Sequence, residues 1–332
     1  MRPRALLALG AALAWVAPLP VAGAPVAERA IPVVDLNVHL PYQLARGQTL
    51  LAASGQADAR RLRQGGVLGA VLPLLEARGA AIEPAYHATY RALAAGDGLR
   101  IPGCRRAGPG VRTWLALEGG ETLARAPTSA GLWVTRGVRF FGLVHDRDGA
   151  LATSAATPGP VLTGLTPLGR EAVESVHAAG GVIDVSRASE MAVRDVIEIA
   201  RATGRVVIAS HANARALADH PQNLTDSQLM DIGRSGGVVG ITFNRRLLAR
   251  GREAELADVV AHVRHVAKVA GVDAVAIGSG FEGGARPPRE LSNAARFPRL
   301  ARALGDAGMT RDEVRKVLSG NALRVLCPSR KR

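Results

Sequence analysis

From residue 33 to residue 279 the hydrophobic positions gather into eight short runs, at 33–39, 67–75, 114–119, 138–145, 181–186, 206–211, 238–244 and 274–279. The runs are continuous and rich in aliphatic and β-branched residues, without apolar–polar alternation. That is the pattern of parallel strands covered on both faces. Between them the apolar spacing changes to that of amphipathic helices, at 58–65, 83–95, 171–179, 190–203, 227–235, 253–270 and 294–307, with a last helix from Thr310 toward Leu326. Local signals mark their ends. Thr166-Pro167 pairs an N-cap with a proline at the first helical position. Thr225-Asp-Ser-Gln228 and Thr310-Arg-Asp-Glu313 read as capping boxes. Gly204, Gly271 and Gly308 stand where helices stop. Strand–helix alternation repeated eight times over about 250 residues predicts a (β/α)8 TIM barrel. No Gly-x-Gly-x-x-Gly follows the first run, so a dinucleotide site in an open sheet has no support.

The N-terminus carries a different pattern. Arg2 and Arg4 precede an uncharged stretch at 5–17, then Pro18 and the small residues Ala22, Gly23 and Ala24. This is the layout of a secretory signal peptide over residues 1–24, with an apolar core too short to span a bilayer. The expectation is an exported protein, secreted or periplasmic, whose residues 25–332 form one barrel domain without a transmembrane segment. Two cysteines, Cys104 and Cys327, are too few for a disulfide scaffold or a cysteine-rich metal module. In an oxidising compartment they could pair, and their spacing alone leaves that open.

Composition narrows the function classes. Hydrophobic residues make up 48% of the 332, enough to bury a large core, so a disordered chain is excluded. Aromatics make up 3% and do not cluster, which argues against a base-stacking platform. The formal charge is +14, and only three of the 42 basic residues are lysine. Arginine is enriched along the whole chain together with alanine and glycine, so the charge reads as a compositional bias and no nucleic-acid partner is expected. Binding to a polyanion through that charge would show as a steep salt dependence.

In a barrel of this kind the chemistry collects at the C-terminal ends of the strands. Those ends hold Asn37 and His39, Glu118, His145, Arg187, His211, Asn244, and Gly280 with Glu282. Three histidines and a glutamate facing one mouth are the ligand types with which barrel hydrolases hold a catalytic zinc.

The segments around these residues resemble the renal (membrane) dipeptidase family of zinc metallopeptidases. The likeness rests on DLNVHLP at 35–41, LEGG at 117–120, GVRFFGLVH at 137–145 and GLTPLGREAV at 164–173. It continues in GVIDVSRASE at 181–190, SHANARAL at 210–217, HPQNLTD at 220–226, IGSGFEGG at 277–284 and SGNALRVL at 319–326. The resemblance implies a (β/α)8 barrel, a binuclear zinc centre, dipeptide substrates and dimers as a common assembly. It implies a metal-bridging role for Glu118, a zinc-ligand role for His211 and a substrate-binding role for His145. Elsewhere the chain departs from the family pattern. Asn37 and His39 stand where the family has a ligating histidine and aspartate. Arg187 replaces a ligating histidine, Gly280 replaces the acidic residue of the last motif, Glu282 replaces its second aspartate, and Gln222 replaces an arginine.

Two of the five ligand positions thus keep the family residue. Arg187 is the most consequential change, because a guanidinium is a permanent cation without a lone pair to give a metal. The expectation is that it pairs with Glu118, which would otherwise be a buried and uncompensated carboxylate. Two functions compete. One is an exported dipeptidase-like barrel, catalytically impaired or inactive, that takes a dipeptide or similar small molecule beside His145, Arg187, Gln222 and Asn244. The other is a hydrolase remodelled around at most one zinc, held by His39, Glu118 and His211.

Overall fold

The strands of the computed structural model are β1 Val33–Asp35, β2 Val67–Leu75, β3 Arg112–Glu118, β4 Val138–Gly142, β5 Val182–Asp184, β6 Val207–Ala212, β7 Val239–Ile241 and β8 Val275–Ile277. Five of the eight, β1, β4, β5, β7 and β8, are shorter than the apolar runs that predict them. Each strand pairs in parallel with its neighbours in chain order, and Asp35 pairs with Ile277 to close the barrel. The structure describes residues 30–328 except 51–54, 77–80, 97, 101, 105–108 and 160–162, and the expected signal peptide lies outside the described residues. The described residues from Ile31 onward form one unit, a (β/α)8 barrel as expected.

The helices in chain order are α1 Leu40–Ala45, α2 Ala59–Gln64, α3 Glu83–Ala94, α4 Glu121–Arg125, α5 Ala130–Thr135, α6 Pro167–Ala178 and α7 Glu190–Thr203. There follow α8 Asp226–Arg234, α9 Arg245–Leu248, α10 Leu256–Ala270, α11 Phe297–Asp306, α12 Arg311–Arg315 and α13 Asn321–Leu326. The capping signals act as expected. The Thr166 side chain accepts from Gly169 N at 3.0 Å, and both capping boxes close, at Thr225 with Gln228 and at Thr310 with Glu313. The helix expected at 294–307 is split, because Pro298 has no N–H and fits only a first turn. A 3-10 turn at Ala294–Arg296 precedes α11. The last helix contains a π turn, Lys316–Gly320, between α12 and α13. Four helices outside the helical stretches expected from the sequence, α1, α4, α5 and α9, span only four to six residues, too few to show a helical period. Among the described residues no helix is long and apolar enough to cross a membrane.

Alternate strand residues fall into two packing clusters, one for each face of the sheet. Val33, Ala70, Leu115, Phe141, Ile183, Val207 and Val275 pack with the helices outside. Val34, Val71, Trp114, Phe140, Val182, Ile208 and Ala276 pack with Ala322, Val325 and Leu326 of α13, which closes one end of the barrel. Both faces are therefore dry, which is why the runs read as continuously apolar. Cys104, shortly before β3, and Cys327, just past α13, are joined by a disulfide with Cα atoms 5.6 Å apart.

At the mouth the chain leaves the ladder early. Beyond Asp35 pairing thins to single backbone bonds, Leu36 N to Ile277 O and Val38 N to Val71 O, and an isolated bridge from Val38 to Phe281. The departure is pinned by buried carboxylates. Asp35 accepts from its own Asn37 N at 3.2 Å and from Ser279 N and Oγ at 2.9 and 2.6 Å, stapling β1 to β8. Burial pushes its carboxyl up to about 6, against the hydrogen bonds from Ser279 and Asn37. Asp184 likewise accepts from Ser186 N and Ser210 N, both at 3.0 Å, and staples β5 to β6.

His177 is the polar exception on the buried face of α6. It is 3% exposed, and neither ring nitrogen has a hydrogen-bond partner. Burial, and then the charge of Arg205, push its pKa from 6.5 down to about 4. The unfolded chain therefore binds a proton that the folded chain refuses in that window. Stability is complete above about pH 6.5 and falls as the pH drops toward about 4. Chemical denaturation across that range should show the decline, and His177→Leu should flatten it by up to one proton's share. An unchanged slope in the variant would assign the acid lability elsewhere.

Candidate active site at the barrel mouth

Glu118, the last residue of β3, is the centre of the mouth. It is 5% exposed, and neither carboxylate oxygen has a hydrogen-bond donor. Four side chains converge on it from four other strand ends. His145 Nε2, Arg187 Nε and His211 Nε2 each lie 3.5 Å from Oε1, and His39 Nε2 lies 3.8 Å from Oε2. Burial alone would raise the Glu118 carboxyl. His211, His39, Arg187 and His145 around it outweigh burial and hold it down at about 2. The histidines move the other way. Burial pushes His211 down to about 4 against the pull of Glu118, and His39 and His145 are lowered for the same reason. At neutral pH the three imidazoles are uncharged. Among the described residues, Arg187 is then the permanent cation against Glu118.

Arg187 reaches this position because the Asp184–Ser186 turn ends β5 and turns the chain over the mouth. Its Nε donates to His211 Nε2 at 3.2 Å, and its Nη1 donates to Asp146. Asp146 in turn faces His145, with Oδ2 3.0 Å from Nδ1. The bond from Arg187 fixes the state of His211: Nε2 must present a lone pair, so the proton sits on Nδ1. Ser210 Oγ, 2.8 Å from that nitrogen, can accept its proton, whereas the Asn37 Nδ2 at 3.0 Å is itself a donor and cannot. Ser186 Oγ accepts from His211 N at 3.0 Å and completes the cradle.

The remaining residues singled out from the sequence sit around one small polar cavity of about 100 Å3. It is lined by Asn37, His39, Arg187, His211, Gln222, Asn244 and Gly280. The His39 ring lies over Gly283, where a Cβ would fall 2.6 Å from its Cδ2. Asn244 also caps α9, accepting from Arg246 N at 3.2 Å. Gly280 has a φ of +76°, a backbone conformation that favours glycine, and its N–H donates to Asn37 O at 3.0 Å. Glu282 faces away from the cluster and accepts from Ala57 N at 2.6 Å. A larger cleft of about 800 Å3 between α7 and α8 shares no residue with the mouth, and two of its arginines are paired, Arg201 with Asp231 and Arg215 with Glu190.

Two contributors were not singled out from the sequence. Asp146 joins Arg187 to His145, and its only sequence signal is adjacency to a strand-end histidine. Ser154, fully buried in the loop after β4, donates to His145 O at 2.7 Å and so holds the backbone of that histidine. No local pattern marks it.

The donor set does not fit the two-zinc centre that the resemblance implies. Asn37 offers an amide, Gly280 offers no side chain, and Arg187 offers a cation in place of an imidazole. The lone pair of His211 Nε2 is taken up by Arg187. Among the described residues no three His, Cys, Asp or Glu side chains stand arranged to hold a metal ion.

Comparison with known proteins agrees with the fold and the motifs. The family model for membrane dipeptidase (peptidase family M19) matches residues 104–330. The dipeptidase tcpJ of Claviceps purpurea (strain 20.1) is 30% identical over 213 residues, covering 64% of this chain and 49% of that protein. The dipeptidase ataJ of Aspergillus terreus (strain NIH 2624 / FGSC A1156) is 30% identical over 239 residues, covering 65% and 57%. The chain thus spans about half the length of the curated relatives it matches. A metallopeptidase from Rhodobacter sphaeroides, solved with a phosphinate mimic of the dipeptide L-Ala-D-Ala, shares the fold. Its TM-score is 0.79 at 24% identity, over 90% of this chain and 99% of that one. With the barrel, the strand-end motifs and the family match in agreement, the chain belongs to the membrane dipeptidase family, peptidase family M19.

Proposed function

We propose that this protein is an exported, dipeptidase-like barrel that recognises a dipeptide or similar small molecule at its mouth without the two-zinc hydrolysis of its family. The observation that carries the reading is the Arg187 guanidinium, which engages both Glu118 and His211, the two ligand positions that keep the family residue. It supplies the positive charge that a buried carboxylate requires, and it supplies no Lewis acid and no bound water. Gly280 adds to this, since it cannot hold a proton where the family pattern has an acid. The polar cavity beside Arg187, with Gln222 and Asn244 on its wall, is the recognition site in this reading. The Cys104–Cys327 disulfide supports export, because such bonds persist in oxidising compartments.

The alternative, a hydrolase with a single zinc on His39, Glu118 and His211, makes the opposite prediction for metal content. Protein purified without chelator from zinc-supplemented medium is expected to carry less than about 0.1 zinc per chain. A content near one zinc per chain would overturn the reading and direct the work to dipeptide hydrolysis. With metal-free protein, calorimetry with L-Ala-D-Ala then tests recognition directly.

A further inference from the structure

We propose that the outer face formed by α2 and by the segment at 294–306, the 3-10 turn with α11, is an electrostatic docking surface for an anionic lipid bilayer. The inference stands apart from the chemistry of the mouth and does not depend on it.

Arginine is spread along the whole chain, but its partners are not. Around α7, α8 and α10 guanidiniums meet carboxylates: Arg201 pairs with Asp231, Arg215 with Glu190 and Arg252 with Asp258. On the α2 and α11 face they largely do not. Residues 58–64 and 294–306 carry six arginines against two aspartates. Asp58 is 2% exposed and is engaged by Arg61 and by the first turn of α2. Asp306 lies at the far end of α11. Arg60, Arg63, Arg296, Arg299 and Arg302 are exposed, and none of them forms an ion pair with another described residue.

The two segments are packed together. Gly65, directly after α2, sits so close to the turn that a Cβ there would fall 2.0 Å from Ala294 O and 3.3 Å from Phe297 Cδ2. Ala294 N donates to Gln56 O, just ahead of α2, at 2.9 Å. Arg296, Arg299 and Arg302 recur every third residue, so they climb one side of the segment with a rise of about 4.5 Å between neighbours. Phe297, Leu300 and Leu304 take the buried side. Like charges at this spacing repel each other, and an anionic partner relieves that repulsion.

The kind of partner follows from what the face carries. Among the described residues the exposed large hydrophobics are Tyr42, Tyr90, Leu132 and Leu217, and none lies on these segments. The face therefore offers no apolar anchor to a protein partner and none to insert between lipid tails. Nor does it expose an aromatic ring for stacking on bases. Five guanidiniums spread across two packed elements suit a broad surface of mobile headgroups, which can bring one anion to each. Adhesion is then by charge alone. Each arginine near such a surface raises the partition coefficient about fivefold.

The test is cosedimentation of the intact, disulfide-bonded protein with vesicles of phosphatidylglycerol and phosphatidylcholine, beside vesicles of phosphatidylcholine alone. Binding is expected only to the anionic vesicles, and it should fall steeply as sodium chloride rises from about 0.05 to about 0.5 M. Arg296→Glu/Arg299→Glu/Arg302→Glu should weaken it by at least about a hundredfold. Arg194→Glu/Arg205→Glu/Arg234→Glu makes the same charge change at exposed positions on the opposite side of the ring of helices, and should weaken it far less. If the first variant does not fold, Arg60→Gln/Arg63→Gln reads the same face from α2, with a loss of about 25-fold expected. No binding to anionic vesicles at low salt would overturn the proposal. So would an equal loss in the two triple variants, which would make adhesion a property of total charge. Binding to duplex DNA or dextran sulfate without binding to vesicles would overturn the choice of a lipid partner.

Discussion

Arg187→Met is expected to lower folding stability by about 3 kcal/mol at neutral pH, the low end of the range for breaking a buried ion pair by removing one partner. The low end applies because the Arg187 side chain is 22% exposed, whereas that of Glu118 is 6% exposed. The loss comes from what remains. Glu118 stays buried with no hydrogen-bond donor on either oxygen, and the imidazoles around it are uncharged near pH 7. The diagnostic measurement is a double-mutant cycle. Glu118→Gln alone should cost less, because Arg187 keeps its bonds to Asp146 and His211. Arg187→Met combined with Glu118→Gln should be more stable than Arg187→Met alone, since the stranded charge is gone. Unfolding in denaturant at constant pH measures all four proteins. A cycle additive within about 0.5 kcal/mol would show that Arg187 and Glu118 do not depend on each other.

The mouth shows how a family scaffold persists without the family's chemistry. The strands that carry Asn37, Glu118, Arg187, His211 and Gly280 are held by packing inside and outside the barrel and by the Asp35 and Asp184 staples. None of these supports involves a metal ligand. Substitution at the strand ends therefore leaves the barrel standing, provided that each buried charge finds a partner. Arg187 meets that condition for Glu118.

The barrel was legible because both faces of its sheet are buried. The runs at 67–75 and 190–203 match β2 and α7 residue for residue. The other runs overshoot at the mouth, except 206–211, which stops one residue short of the end of β6. Leu36, Val38, Leu143, Val144, Val185 and Phe243 are buried, so they read as strand, but they lie past the strand ends, where pairing thins to single backbone bonds such as Leu36 N to Ile277 O and Val185 N to Ile208 O. Hydrophobicity reports burial, and it does not report which hydrogen bonds the backbone makes. At the site, position was legible and partnership was not. Asn37, His39, Arg187, His211, Gln222, Asn244 and Gly280 do line one cavity. The link from Arg187 through Asp146 to His145, and the hold of Ser154 on His145, depend on distances between loops of different strands. Family likeness identified the altered positions. It carried no information on what the new side chains would touch.

The double variant Cys104→Ser/Cys327→Ser is expected to show the largest loss of stability, up to about 5 kcal/mol by the loop-entropy relation. The bond closes a loop spanning a sequence separation of 223 residues, and a crosslink of that length excludes a large share of the unfolded chain's conformations. The loop holds six of the eight strands, β1 and β2 being the exceptions, and Cys327 lies directly after α13, whose Ala322, Val325 and Leu326 pack into the barrel's inner cluster. Cutting the bond thus frees the plug as well as the loop, and α13 should exchange its amide hydrogens sooner than the strands do. Denaturant unfolding of the double variant beside the oxidised wild type measures the loss. Reduction of the wild type should reproduce it, with no change in the Arg187–Glu118 coupling at the opposite end of the barrel. A double variant within about 1 kcal/mol of the wild type would mean that the crosslink restrains an unfolded state already compact enough to keep the two cysteines close.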